Sequence, residues 1–157
     1  MKRFGIGLMI VGLAGVLSMI ATGGDSEIYV DRQPFDSQSL NNTNAVCTAY
    51  SLRKTYKPDG VFSLQIQVTG TGTIAYVQCE VSNNGTDFVP AVMSVPDAAN
   101  DAVILTNRIF ESYTATSGPN SDGNDHIQIG IPLCVDVRWR VYGTNGTSTN
   151  SMWFALQ

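Results

Sequence analysis

Apolar and polar residues alternate along most of this chain with a period of two, the pattern of strands half-buried against a core. Phe62, Leu64, Ile66 and Val68 alternate with Ser63, Gln65 and Gln67, which puts the first set on one face. Ala75, Val77, Cys79 and Val81 repeat the pattern after Gly72. Asn83, Asn84 and Gly85 follow, residues that tolerate positive φ and suit a tight hairpin, with Phe88 to Val95, interrupted by Pro90, as the partner strand. The longest series runs through Ile127, Ile129, Ile131, Leu133, Val135, Val137, Trp139 and Val141, with Cys134, Asp136, Arg138 and Arg140 on the opposite face. Pro132 within it predicts an edge or a bulge, because proline removes a ladder donor. Asn145-Gly146 makes a further turn and Ser151 to Leu156 a closing strand. Val46 to Tyr56 and a run from Val103 to Thr116 bring the total to seven or eight strands, the second run having an alternative start as a short helix over Asp97 to Asn107. Short strands, glycine-bearing turns and no βαβ spacing predict an all-β chain, an antiparallel β-sandwich that is jelly-roll-like or Ig-like.

Two segments precede this body. Lys2 and Arg3 lead into Phe4 to Ala21, 18 positions without a charge. A basic end, an apolar stretch and the small residues Ala21, Thr22 and Gly23 read as a signal peptide. The stretch also approaches the roughly 20 apolar residues that span a bilayer. Residues 1–24 are therefore read as a cleaved signal or as an N-terminal apolar helix, retained across a membrane or buried against protein. If the helix spans, Lys2 and Arg3 favour the cytoplasmic side and leave the domain outside. Residues 25–44, polar and broken by Pro34, read as an extended linker or an assembly arm lying along a neighbouring subunit. The sandwich domain then occupies 45–157.

The whole chain, 157 residues, suffices for one domain with a real core. Charged residues are 14%, lean beside the roughly 25% of soluble proteins. Without residues 1–24, Lys+Arg falls from 9 to 7 against the same 13 acids, leaving −6 over 133 residues. That balance argues against a nucleic-acid partner, which needs a basic face to meet phosphate. Arg53, Lys54 and Lys57 beside Tyr50 and Tyr56 are too few to change it, and read as a solvated face.

Candidate chemistry is sparse. Cys47, Cys79 and Cys134, with spacings of 32 and 55, resemble no metal knuckle and read as buried thiols or as one disulfide with a thiol left over. His126 is the only histidine; Asp125 and a serine could join it, but no GxSxG elbow accompanies it, and adjacent residues of a strand point to opposite sides. Asn120, Asp122, Asn124 and Asp125 resemble the front half of a calcium loop, yet position 131 is Ile where the closing glutamate belongs, so an ordinary Asn/Asp/Gly turn is the better reading. Glu80 and Glu111 would serve glycoside chemistry only as a close pair. Tyr142 and Trp153 are the aromatics best placed for a sugar platform, whereas Trp139 belongs to the apolar series and to the core. Asn41, Asn84 and Asn145 fit the glycosylation acceptor pattern, which matters only in a glycosylating secretory host. No catalytic set is complete and no pattern calls for a cofactor, so the chain reads as a non-enzyme.

The segment SLQIQVTGTGTIAYVQCEVSNNGTDFVP, Ser63 to Pro90, resembles the strand-turn-strand segment of small β-sandwich proteins of tailed-phage virions and prophage regions. In their hairpin pattern, VSNDGT-F, Asn84 stands here in place of the Asp. The end of the chain, VDVRWRVYGTNGTSTNSMWFALQ from Val135, also resembles their terminal strands. Discoidin-like carbohydrate-binding modules carry a related Ser-x-Asp-Gly-x-Trp hairpin, with Phe88 here at the aromatic position. The apolar start of this chain departs from an ordinary tail or capsid-decoration protein. Together these features imply a structural, self-assembling surface protein, part of a virion or extracellular filament. Its partners would be copies of itself, and a membrane or other subunits met through residues 1–24, with an extracellular, membrane-anchored or virion-surface location. The alternative is a surface carbohydrate-binding or host-attachment module with a glycan ligand.

Overall fold

The computed structural model describes residues 30–52, 61–97 and 102–156. Among them are eleven strands: β1 (Val30–Asn41), β2 (Asn44–Val46), β3 (Tyr50–Ser51), β4 (Val61–Gly70), β5 (Thr73–Ser82), β6 (Val89–Pro90), β7 (Met93–Asp97), β8 (Ala102–Thr106), β9 (Asn124–Gly130), β10 (Asp136–Thr144) and β11 (Thr147–Leu156). They form two antiparallel sheets. The larger has the order β1-β11-β4-β9-β7-β8, and the smaller β2-β10-β5-β6 with β3 also on β10. The chain is all-β, a sandwich of these two sheets, as the alternation predicts; the strands exceed the expected seven or eight because several expected strands are divided and because β1 lies in the span read as a linker.

Period-two alternation becomes packing directly. Phe62, Leu64, Ile66 and Val68 of β4 are fully buried, as are Val77 and Cys79 of β5 and Val137, Trp139 and Val141 of β10. Met152 and Phe154 of β11 and Phe35 and Leu40 of β1 complete the inner layer. Phe154 is the aromatic hub, with ring centroids 5.2 Å from Tyr50, 5.9 Å from Phe62 and 6.0 Å from Trp139. In β5 both Ile74 and Val77 face inward, three residues apart. A register shift opposite Tyr142 and Gly143 makes Ala75 the extra residue of a bulge, which restores the parity.

Four expectations change. The span 25–44 is not a free linker throughout, because β1 occupies Val30–Asn41 and pairs with β11 from Val30↔Leu156 to Asn41↔Thr147. Its alternation is hidden by register shifts around Pro34 and around Asp36-Ser37, the latter with Ser37 at φ 51. The alternative helix over 97–107 is instead strand at β8, whose Val-Ile-Leu run has the β-branched character of a strand. The long series from Ile127 to Val141 is two strands in different sheets, joined by a crossover at 131–135 in which Leu133 is 83% exposed. The stretch from 88 to 95 divides likewise, β6 in the smaller sheet and β7 in the larger.

No helix among the described residues is long and apolar enough to cross a membrane. This corrects the transmembrane helix and the membrane-anchored location expected above: the elements among the described residues are all strands. Residues 1–24, on which that expectation was placed, lie outside the described residues, as do Arg53, Lys54 and Lys57.

Candidate docking surface

β8 ends the larger sheet, and among the described residues nothing pairs with its outer side. Its sequence, Ala-Val-Ile-Leu-Thr, carries no charge, and exposures of 65%, 47% and 73% at Val103, Ile104 and Leu105 leave apolar side chains open on both faces. Natural sheet edges usually carry lysine, proline or a bulge that blocks pairing; β8 has none of these. The register with β7 runs Met93↔Thr106, Ser94↔Leu105, Val95↔Ile104, Pro96↔Val103 and Asp97↔Ala102. Pro96 has no N–H, so its pair with Val103 is of the non-hydrogen-bonded type. The N–H and C=O of Val103, and of Leu105 two residues on, therefore point away from β7 to the open edge.

Beside this edge the sandwich has an open flank. Segment 107–116 returns along β5, where Ile109 and Val77 exchange N–H···O bonds of 2.7 and 2.9 Å and Tyr113 and Ile74 bonds of 2.7 and 2.8 Å. Between this segment and the inner side of β7, β8 and β9 lies a cavity of about 420 Å³. Val95, Ile104, Ile109, Phe110 and Ile127 form its apolar lining, and Arg108, Glu111, Tyr113 and Asp125 also line it.

The outer face of the smaller sheet carries a polar and aromatic strip. Cross-strand neighbours there are Glu80 with Arg138, Gln78 with Arg140 and Tyr76 with Tyr142. Glu80, 4% exposed, accepts from Arg138 Nε at 2.6 Å and Arg140 Nε at 2.7 Å. Burial alone raises the Glu80 pKa, but hydrogen bonds from Arg140 and Arg138, with their charges, outweigh it and hold the carboxyl below its ordinary range. Arg138 lies over the Phe88 ring at 4.2 Å and Arg108 over Tyr76 at 4.3 Å.

The residues singled out from sequence are dispersed by this geometry. Tyr142 stacks on Tyr76 with centroids 5.8 Å apart, on the smaller sheet. Trp153 is half-buried on β11 of the larger sheet, between its inward neighbours Met152 and Phe154, so the two aromatics face opposite sides of the sandwich and share no platform. Asp122 Oδ1 accepts the Asn124 N–H at 3.0 Å and Asp125 Oδ1 the His126 N–H at 2.7 Å, so these carboxylates hold their own loop. Asn120, Asn124 and Asp125 do line a shallow cleft with Gln65, Pro119 and His126. Among the described residues no group of three His, Cys, Asp or Glu could hold a metal ion.

His126 Nε2 meets Ser63 Oγ at 2.5 Å, while the Asp125 carboxylate is turned to backbone rather than to the imidazole. Glu80 gives both oxygens to arginines, so it is not available to work with Glu111. No disulfide joins Cys47, Cys79 or Cys134. Cys47 Sγ accepts the Trp139 N–H at 3.1 Å; burial raises all three thiols, Cys134 to about 11 and Cys79 furthest.

The run from Val103 to Thr116 reads as a strand from sequence, but nothing in it marks an open edge, and nothing marks the flank cavity. The β8 signal was present as a five-residue apolar run without alternation, a pattern shared by buried strands.

No family model matches the chain. No curated protein sequence matches it either. Among solved structures, the crystal structure of the SPBc2 prophage-derived protein YomS is similar over 84% of this chain and 100% of that chain, with 9% sequence identity and a TM-score of 0.41.

Proposed function

We propose that this chain is a structural subunit that assembles with copies of itself, in a virion or an extracellular filament, and that β8 is the joining edge. The observation that carries the reading is the uncharged edge strand Ala102–Thr106, apolar on both faces and with outward backbone groups unpaired among the described residues. Antiparallel pairing of β8 with its copy about a two-fold axis is self-complementary and would join two larger sheets into one. Strand order supports a jelly roll. With β3 and the β7–β8 hairpin set aside, the eight remaining strands run 1-8-3-6 in one sheet and 2-7-4-5 in the other. That double-sheet arrangement is widely used in viral capsids and lectins. The lectin-like alternative lacks its expected aromatic pair, since Tyr142 and Trp153 lie on opposite faces.

The test is analytical ultracentrifugation of the chain and of Leu105→Pro. Proline at 105 removes an N–H aimed at the open edge and none aimed at β7, so the fold stays intact while pairing is blocked. The unaltered chain should sediment as dimers or larger species and the variant as a monomer with unchanged circular dichroism. A monomeric unaltered chain, or assembly unaffected by the proline, overturns the reading.

A further inference from the structure

The flank cavity has a chemistry of its own, independent of the assembly reading although β8 supplies one wall. Its bed is Val95, Ile104, Ile109, Phe110 and Ile127, enough apolar surface to hold a ring system or a short alkyl chain. Its polar groups are unevenly signed. Asp125 and Glu111 are acidic, and the one basic group, Arg108, is drawn to the face of Tyr76, leaving the lining with an excess of negative charge. Tyr113, 7% exposed, also lines the cavity, but its hydroxyl is buried against Gly118, under the influence of the Asp125 carboxylate. Burial first, then the Asp125 and Asp122 charges, raise this phenol to about 12, so it remains neutral.

We propose that this cavity binds a small apolar molecule bearing one cationic amine, its hydrocarbon on the Ile104–Phe110–Ile127 bed and its ammonium against the Asp125 carboxylate. An ammonium donates to the carboxylate and balances its charge. An alcohol of the same shape can donate to the carboxylate but leaves its charge unbalanced, and a carboxylate of the same shape meets repulsion. The size fits: a cavity of about 420 Å³ falls within the roughly 300–1,000 Å³ of small-molecule sites.

The probes are 1-naphthylmethylamine, protonated at pH 7, with 1-naphthylmethanol and 1-naphthoate as its neutral and anionic counterparts. Each is titrated into the full chain carrying Leu105→Pro, so that assembly does not alter the readout, and followed by amide shifts at Ile109 and Phe110. The amine should bind saturably, about tenfold more tightly than the alcohol, with the naphthoate weakest. Asp125→Asn retains an oxygen for the His126 N–H, so the fold survives while the charge is lost; it should bring amine and alcohol to equal affinity. Ile104→Trp, placed at an exposed strand position, fills the cavity and should abolish binding of both. The assignment is overturned if no probe binds saturably, or if the alcohol or naphthoate binds as tightly as the amine. It is equally overturned if Asp125→Asn leaves the amine preference in place, or if Ile104→Trp leaves binding unchanged. Loss of assembly by itself leaves these outcomes untouched.

Discussion

At 4% exposure the Glu80 carboxylate would cost several kcal/mol to bury alone, and two guanidinium groups offset that cost from the solvent side. Its folded pKa is depressed, so the ionised pair contributes stability that is fully present above the unfolded value of about 4.3. That contribution is lost as pH falls through the lower folded value. Glu80→Gln should therefore destabilise the chain by about 1–3 kcal/mol at pH 7, a modest figure because both arginine side chains stay 28% exposed. Urea unfolding of the two proteins should show the difference shrinking toward pH 3; a constant gap would mean that Glu80 acts through shape alone. Cys79 belongs to the same scale. Buried, with its thiol held far above its ordinary pKa, it should resist iodoacetamide at pH 8 until the chain unfolds, whereas half-buried Cys47 and Cys134 react slowly in the native state. Peptide mapping after timed alkylation reads this directly, and rapid native labelling of Cys79 would contradict it.

Among the elements, the corners decide the topology. Thr69-Gly70-Thr71-Gly72 and Asn145-Gly146 look like hairpin turns, but each carries the chain from one sheet to the other, β4 to β5 and β10 to β11. The two corners lie against each other: the N–H groups of Thr71 and Gly72 both donate to the Thr147 carbonyl, at 3.0 and 2.9 Å. A Cβ on Gly72 would come within 2.5 Å of the Gly146 carbonyl oxygen and 2.8 Å of the Ser148 nitrogen, both of them backbone. Gly72→Ala should thus cost about 1–3 kcal/mol and lower the thermal midpoint by several degrees, which calorimetry would detect; an unchanged midpoint would mean that the corners separate freely. The same corners show what alternation conveys and what it omits. β4, β5, β10 and β11 are legible because one face of each is buried, and the burial pattern is local. Sheet membership is not legible there, because a corner and a hairpin use the same Gly and Asn chemistry. β1 was obscured by Pro34 and by the left-handed Ser37, which break its period while its hydrogen bonds to β11 continue.

For the molecule as a whole, the sandwich was readable from sequence and the surface was not. A docking edge is defined by what fails to cover it, and an apolar run such as Val103-Ile104-Leu105 reads alike whether its neighbours enclose it or leave it open. The expected aromatic platform failed for a related reason, since the sides faced by Tyr142 and Trp153 depend on which sheet each strand joins. Charge offers a separate handle on the assembly. The chain carries a formal −4, so two copies repel at long range, while β8 contributes no charge of its own. Raising NaCl from about 0.05 to 0.5 M screens that repulsion and leaves apolar edge pairing intact, so association through β8 should strengthen by a few fold. Docking through Arg138 and Arg140 against an acidic surface of a second copy would instead weaken, because there the attraction itself is screened. Sedimentation equilibrium across that salt range separates the two: a dissociation constant that rises with salt would move the joint to the arginine strip of the smaller sheet, and one that falls keeps it at the edge of the larger.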